Sequence, residues 1–162
     1  MKHTIAVVTP NNPGVVSRLS GLLERRGFRV NDVGVGATHK PNHSRFTFVI
    51  DGDAHKATQA VRQLRKMVEA LEVRDLSAQK HIARCMLLMK FALSGEKEMR
   101  LETRKGLFEA LKGQTYSVLE DDENTVVLEM MAAPEKADDC LDAVRAFGLC
   151  EAVKSGPLAL GM

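Results

Sequence analysis

The residues best suited to chemistry lie in a turn, Asn11-Asn12-Pro13-Gly14, that precedes a predicted helix. We predict Asn12 as the N-cap and Pro13 as the first helical residue, where its missing N–H costs nothing. The main-chain amides of Gly14–Val16 then point out of the helix start, and glycine has no side chain to shield them. Such a start attracts anions with roughly 0.3–1 kcal/mol from the helix dipole, and the Asn11 side chain is left to contact a ligand. A plain strand–turn–helix without a ligand explains the same residues equally well.

The other groups that could carry chemistry have ordinary structural explanations. His39 and His43 flank a predicted hairpin without a third metal ligand nearby, and the carboxylates of Glu120–Glu123 fit a solvated turn. Gly34–Gly36 starts like a dinucleotide-binding loop but lacks its third glycine and a following helix, and Cys85 lies on an apolar strand. No P-loop, GxSxG, HExxH or CxxC motif occurs. We therefore expect no catalytic site, no metal site and no cofactor in this chain.

The composition is that of one ordinary domain or two small ones. The 162 residues are 44% hydrophobic, without an apolar run long enough to span a membrane and without a signal-peptide core. Three cysteines, Cys85, Cys140 and Cys150, form no paired motif, so we expect a reducing, cytoplasmic location. Lysine and arginine outnumber acidic residues 13 to 7 in residues 1–80 and are outnumbered 10 to 14 in residues 81–162. The basic residues are scattered and no aromatic platform accompanies them, which argues against a nucleic-acid partner.

The hydrophobic periodicity predicts two successive units with the element order β-α-β-β-α-β, the ferredoxin-like arrangement. The expected fold class is α+β, with antiparallel sheets, helices on one face, and domains at residues 1–77 and 81–162. The predicted elements of the first unit are Thr4–Val8, a helix stopped by Gly27, Arg29–Thr38, Ser44–Ile50, a helix capped by Asp53, and about Glu72–Leu76. Those of the second unit are Ile82–Leu93, Glu96–Leu111, Gln114–Leu119, Thr125–Met131, a helix opened by Pro134 and stopped by Gly148, and Leu149–Lys154.

Two patterns predict which side chains face the first core. Phe46, Phe48 and Ile50 alternate along one strand and therefore share one face. The second helix is predicted to turn a periodic set inward, namely Ala57, Ala60, Val61, Leu64, Met67, Val68 and Leu71. Units of this size bury little surface alone, so we expect two copies to pair through their sheets.

Segments throughout the chain resemble the regulatory, or small, subunit of acetolactate synthase. In the first half the resemblance is carried by Asn11–Arg18, Gly21-Leu22, Arg26–Phe28, Val33–Gly36, Pro41, Ser44–Thr47, Leu64–Leu71, Val73 and Asp75-Leu76. In the second half it is carried by Phe108–Gln114, Pro134–Lys136, Arg145–Gly148 and Ser155–Leu160. It spans nearly the whole chain and is more specific over residues 4–77.

The resemblance implies that the first unit is an ACT domain, a ferredoxin-like module that binds small effectors, usually amino acids. In this family ACT domains pair side by side into a continuous sheet, and a branched-chain amino acid, typically valine, binds between the protomers. Its carboxylate meets the loop and helix start, and the neighbouring protomer contributes the start of its second strand. The effector-binding residues implied here are Asn11, Asn12, Pro13, Gly14, Val15, Val16, Arg29, Val30 and Asn31.

The resemblance also implies a protein partner. The small subunit activates a separate catalytic subunit and makes it sensitive to feedback in isoleucine, valine and leucine biosynthesis. Thiamine diphosphate, Mg²⁺ and FAD are expected on that catalytic subunit. The alternative is a stand-alone ACT-type amino-acid sensor that regulates a different enzyme. An RNA-binding ferredoxin-like protein would need exposed aromatic residues on its sheet, and Phe46 and Phe48 lie on the face expected to pack on helices.

This sequence departs from the family pattern at two positions. Arg29 stands where the family usually has asparagine, and Pro10 stands where it usually has an acidic residue. Arginine is a longer, permanently charged side chain that could pair with an effector carboxylate, fill the pocket or face solvent. We therefore expect this chain to respond weakly to valine or to prefer another effector.

Overall fold

A computed structural model describes all 162 residues, which form nine strands and four α-helices. The first elements are β1 (Lys2–Pro10), α1 (Val15–Arg25), β2 (Arg29–Ala37), β3 (His43–Asp51), α2 (Ala54–Leu64) and β4 (Glu72–Asp75). The remaining elements are β5 (His81–Ala92), α3 (Lys97–Ala110), β6 (Tyr116–Asp121), β7 (Thr125–Ala132), α4 (Pro134–Val144), β8 (Leu149–Lys154) and β9 (Leu158–Gly161). The predicted α+β class, with two β-α-β-β-α-β units, is confirmed.

The chain folds into two compact units, which are Met1–Ala83 with Gly156–Met162, and Arg84–Ser155. It passes from the first unit to the second after Ala83 and returns after Ser155. Strand β9, which the periodicity did not predict, therefore belongs to the first unit. The domain limits at 1–77 and 81–162 stay a prediction, and they do not include this return of the last seven residues.

The first unit contains an antiparallel sheet in the strand order β2-β3-β1-β4. Strand β3 pairs with both β1 and β2, so its register fixes what lies at each end of the sheet. Pro10 is opposite His43 at one end, and Arg29 is opposite Asp51 at the other. Strand β2 is an edge strand, which leaves one side of its main chain unpaired within this sheet.

Both helices of the first unit pack on one face of its sheet. Phe46, Phe48 and Ile50 are buried on that face, as predicted, and the two phenylalanine rings stack with centroids 6.2 Å apart. They share the core with residues of β1, α1, α2 and β4, including Ile5, Val7, Val15, Leu19, Leu23, Ala60, Leu64 and Val73. The second helix is shorter than predicted.

The inward assignment of Val68 and Leu71 is wrong. Helix α2 ends at Leu64, and turns follow it up to β4. Val68 is 95% exposed and Leu71 is 55% exposed, because the helical period does not continue beyond the end of the helix. Two other local predictions are confirmed: Gly27 has a left-handed φ of 76° after α1, and the Asp53 side chain accepts a hydrogen bond from Lys56 N.

Strand β9 lies on the face of the first sheet that the two helices do not cover. Ala159 is buried there with Ala6 and Leu76, and Ala83 packs against this cluster. At the end of the chain, Met162 N donates to Lys80 O at 3.0 Å. Helices therefore cover one face of the first sheet, and the C-terminal strand covers part of the other.

The second unit repeats the arrangement of the first, with an antiparallel strand order of β6-β7-β5-β8. Leu87, Met89 and Phe91 of β5 are buried on its helix-covered face, together with Leu107 of α3 and Val144 of α4. Pro134 opens α4, as predicted. Gly148 has a φ of 79° after the short 3₁₀ turn that follows α4, which confirms it as the stop.

None of the helices combines the length and the apolar character that crossing a membrane would require.

Candidate functional site

The predicted anion site at the start of α1 has an N-cap different from the one expected. Gly14, with φ 76° and ψ 0°, is the N-cap, and the helix begins at Val15. The prediction of Asn12 as N-cap and Pro13 as the first helical residue is therefore wrong. The physical reason is that a left-handed residue precedes the helix, a conformation that glycine adopts without strain, and no side chain caps the helix start.

The amides at this helix start face outward. The N–H groups of Gly14 and Val16 donate no hydrogen bond within the chain, whereas Val15 N lies 3.4 Å from Asn12 O and Arg18 N donates to Gly14 O. Residues 11–14 are exposed, while the side chain of Val15 is buried in the core. Val15 can therefore contribute only its main chain to a ligand. This arrangement suits a small anion such as a carboxylate.

The loop is held in position from two sides. Asn11 N donates to Asn42 O at 2.8 Å, which ties the loop to the β2–β3 hairpin, and Asn42 has a left-handed φ of 57°. On the other side, Arg18 Nη1 lies 3.5 Å from Pro13 O, and Arg18 Nε lies 2.9 Å from Glu69 Oε1. A guanidinium therefore lies next to the helix start, with its charge balanced by a carboxylate.

The second group of predicted site residues, Arg29–Asn31, lies at the start of β2. The Arg29 side chain is 84% exposed, and its Nε lies 3.9 Å from Asp51 Oδ2 across the ladder. The β2–β3 register shifts between Val30 and Asp32, so Asn31 is the extra residue of a β-bulge and is exposed. Bulges at sheet edges redirect side chains, and this one presents an amide at the edge of the first sheet.

One copy of the chain does not bring the two groups together. Pro10 and His43 pair at one end of β3, and Arg29 and Asp51 pair at the other. His43 and Asp51 are eight positions apart along β3, a distance of about 26 Å at about 3.3 Å per residue. The Asn11–Val16 loop and the Arg29–Asn31 segment therefore lie at opposite ends of one sheet.

The structure adds one residue that the sequence reasoning did not assign to the site. Val35 is 50% exposed near the end of β2, on the face covered by helices, where it lies opposite Phe46. Val16, at the start of α1, is also about half exposed. Both valines lie toward the loop end of the sheet. The sequence signal was available, because an alternating strand placed Val35 on the same face as Val33.

The other candidate groups do not assemble into a site. No three histidine, cysteine, aspartate or glutamate side chains lie together as metal ligands, and His43 Nδ1 is 2.7 Å from Pro41 O. Asp122 accepts hydrogen bonds from Asn124 N and Thr125 N, as a carboxylate in a hairpin turn does. Cys85 and Cys140 are buried, and burial raises the pKa of the Cys140 thiol. Gly34–Gly36 is part of strand β2 and not a nucleotide-binding loop.

The first unit has the fold of a known class of regulatory module. A family model described as the AHAS small subunit-like ACT domain matches residues 5–72. The chain is therefore an ACT-domain regulatory protein. A second model, described as the small subunit of acetolactate synthase, matches residues 84–162.

Similarity to individual proteins extends over the whole chain. The probable acetolactate synthase small subunit of Methanothermobacter thermautotrophicus is 30% identical over 159 residues, covering 98% of this chain and 91% of the relative. The corresponding protein of Archaeoglobus fulgidus is 29% identical over 160 residues, covering 99% and 96%. The crystal structure of the small subunit from Thermotoga maritima superposes with a TM-score of 0.85 at 22% identity, covering 100% and 98%, and shows the same fold. The chain belongs to the family of acetolactate synthase small subunits, the regulatory and non-catalytic subunit of that enzyme.

Proposed function

We propose that this chain senses a branched-chain amino acid of the valine type, activates the acetolactate synthase catalytic subunit and makes it sensitive to feedback. The observation that carries this proposal is the exposed helix start at Gly14–Val16. The amides of Gly14 and Val16 have no acceptor in the chain, and Arg18 lies beside them. Charge-assisted hydrogen bonds of about 1.5–3 kcal/mol each are enough to hold a small carboxylate at micromolar to millimolar affinity.

The effector site is proposed to form between two copies of the chain. The Asn11–Val16 loop and the Arg29–Asn31 segment are about 26 Å apart in one copy, by the rise of a strand. If two β2 edges pair antiparallel about a twofold axis, the start of β2 in one copy comes next to the end of β2 in the other. That end of the sheet carries the loop, because Pro10 and Ala37 both lie beside the start of β3.

The aliphatic part of the ligand is proposed to contact Val16 and Val35. Both are about half exposed, and two exposed valines are an apolar surface that a branched side chain would cover. Arg29 from the second copy brings a positive charge close to the ligand. Because an amino acid carries an ammonium group as well as a carboxylate, this charge is expected to weaken valine binding.

The catalytic subunit is the proposed protein partner, in a cytoplasmic location. Thiamine diphosphate, Mg²⁺ and FAD are proposed to bind to that subunit.

The test is to add the purified chain to its isolated catalytic subunit and to follow acetolactate formation with and without valine, leucine and isoleucine. We expect stimulation by the chain alone and a reduced rate when an effector is present. If the catalytic subunit forms acetolactate at full rate alone, and adding this chain does not change that rate, the proposal is overturned. That result would favour a stand-alone amino-acid sensor acting on another enzyme. Analytical ultracentrifugation of the chain tests the twofold site, because a monomer at the effector-binding concentration cannot form it.

A further inference from the structure

The last seven residues, Gly156–Met162, form a segment that we name the C-terminal strap. It crosses the first sheet so closely that two main chains nearly touch. A Cβ atom on Gly34 of β2 would lie 2.8 Å from the Pro157 carbonyl carbon and nearer still to its oxygen. A Cβ atom on Gly156 would lie 2.6 Å from Gly34 N. Gly34 and Gly156 therefore both require glycine, because backbone meets backbone at these two positions.

Strand β9 of the strap pairs with β5, and the strap contacts the face of the first sheet through a small apolar contact. Pro157 and Ala159 are buried, while Leu158 and Leu160 are 58% and 64% exposed, which is the alternation of a strand with one covered face. Ala159 is buried against Ala6 and Leu76. Small side chains bury little area, so this contact contributes less than an ordinary core strand.

The same contact buries polar groups that have no partner. Thr47 is fully buried, its hydroxyl has no hydrogen bond, and it lies in the ladder between Gly34 and Ala6. Arg45 Nε is also buried without a partner, in the row next to it, opposite Gly36. Release of the strap from the sheet would let water reach these groups. Keeping them dehydrated therefore costs free energy whenever the strap lies on the sheet, its seated position. The seated and released positions are therefore closer in free energy than those of a well-satisfied core element.

The strap contacts β2, a strand of the proposed effector site, and is covalently continuous with the second unit. Gly34 lies in β2, whose first residues, Arg29–Asn31, form half of that site. The strap follows β8 directly through Ser155. We propose that the C-terminal strap is a two-position element whose seating on β2 is coupled to effector binding, so that the effector favours the seated strap. This inference rests on the proposed function for the identity of the effector.

Coupling of this kind is reciprocal. Releasing the strap must therefore lower the affinity for the effector by the same factor by which the bound effector favours the seated strap. Gly34→Ala tests it, because the new methyl group displaces the main chain of the strap. Gly36→Ala is the matched control on the same strand and face, since its Cβ would make only an ordinary 3.4 Å contact with Leu158 Cδ2. We expect valine to bind Gly34→Ala roughly fivefold or more weakly than Gly36→Ala. Hydrogen exchange of Gly156–Met162 should be faster in Gly34→Ala and should no longer slow when valine is added.

A second pair of variants changes the strap and leaves the sheet intact, which keeps the test decisive if Gly34→Ala does not fold. Ala159→Asp puts a charge into the buried contact, and Leu160→Asp puts the same charge on the next, exposed residue. We expect Ala159→Asp to release the strap and weaken valine binding, and Leu160→Asp to behave like the unaltered chain.

The outcomes separate this inference from the proposed function. If the unaltered chain binds valine in calorimetry but exchange of the strap does not respond to saturating valine, or if both variants of each pair bind it equally, the coupling is disproved and the proposed function stands. If the unaltered chain binds no branched-chain amino acid, the proposed function fails and the coupling fails with it.

Discussion

Arg18 in the first turn of α1 forms an ion pair with Glu69 in the segment between α2 and β4, with Nε and Oε1 2.9 Å apart. The same guanidinium lies 3.5 Å from the carbonyl oxygen of Pro13, so it lies against the loop of the proposed effector site. Both side chains are partly exposed, and such pairs contribute only about 0.2–1 kcal/mol to stability. The pair matters more for the electrostatic potential at the helix start than for holding the fold together.

Removing the charge of Arg18 should therefore lower effector affinity, and removing the charge of Glu69 should raise it. We expect Arg18→Gln to weaken valine binding by roughly 2- to 5-fold and Glu69→Gln to strengthen it by a similar factor, the scale of an exposed ion pair. Isothermal titration calorimetry at low and high salt measures both effects, which should shrink as salt screens the charges. Arg25→Gln, in the last turn of the same helix, controls for the loss of one positive charge. Equal affinities for all three variants would contradict this electrostatic role.

The glycine at the N-cap of α1 should be essential for binding and not only for folding. Gly14 and Gly27 both have φ 76°, so an alanine at either position costs about 1–2 kcal/mol of stability. A methyl group at Gly14 would also lie 3.1 Å from Arg18 Nη1, beside the helix start, whereas at Gly27 it would meet no atom within 4 Å. We expect similar losses of melting temperature in Gly14→Ala and Gly27→Ala, and a loss of valine affinity of about tenfold or more only in Gly14→Ala. Normal binding by Gly14→Ala would disprove the proposed anion site.

Arg29 should set the response to valine without supporting the fold. Its side chain is 84% exposed and 3.9 Å from Asp51, so Arg29→Asn should change stability by less than about 0.5 kcal/mol. Asparagine removes a charge that repels the ammonium group of an amino acid and supplies an amide oxygen that can accept from it. We expect valine to bind the variant about fivefold more tightly in calorimetry, the effect of one like-charge contact of about 1 kcal/mol near a surface. Arg26→Asn makes the same change outside β2 and should leave valine affinity unchanged. Tight valine binding by the unaltered chain would show that Arg29 does not weaken it.

The N-cap of α2 should make part of the stability dependent on pH. The main-chain N–H of Lys56 donates to Asp53 Oδ1 at 2.8 Å and lowers the pKa of that carboxyl below its usual value of about 3.9. A carboxyl with a lowered folded pKa stabilises the protein above its unfolded pKa, and this contribution is lost as the pH falls through the folded value. We expect Asp53→Ala to melt at a lower temperature than the unaltered chain at pH 7, with the difference shrinking below pH of about 4.

Asp53→Asn provides the control for that experiment. Asparagine can still accept the hydrogen bond from Lys56 N but does not titrate, so it should melt like the unaltered chain at pH 7. The difference in melting temperature between Asp53→Ala and Asp53→Asn should persist unchanged at pH 2. A difference between the unaltered chain and Asp53→Ala that stays constant down to pH 2 would contradict the pH linkage.

The sequence predicted those parts of the fold that depend on neighbouring residues. Alternation along β3 assigned Phe46 and Phe48 to the core, and single residues with strong local preferences, Asp53, Gly27 and Gly148, ended or began helices where expected. The exceptions have physical reasons. Val68 was assigned to a helix that had already ended. Asn12 was favoured as N-cap because its side chain suits that position, but a left-handed Gly14 begins the helix.

The element order, the two-unit plan and the residues of the proposed effector site could be predicted from the sequence, because strand and helix periods and turn chemistry act over a few residues. Two features came from the folded chain: Asn11 and Arg29 lie at opposite ends of one sheet, and the last seven residues return to the first unit. The structure also explains why residue 34 is glycine, because the main chain of Pro157 passes close to it. These features depend on strand register and on contacts between residues more than a hundred positions apart, which no local preference encodes.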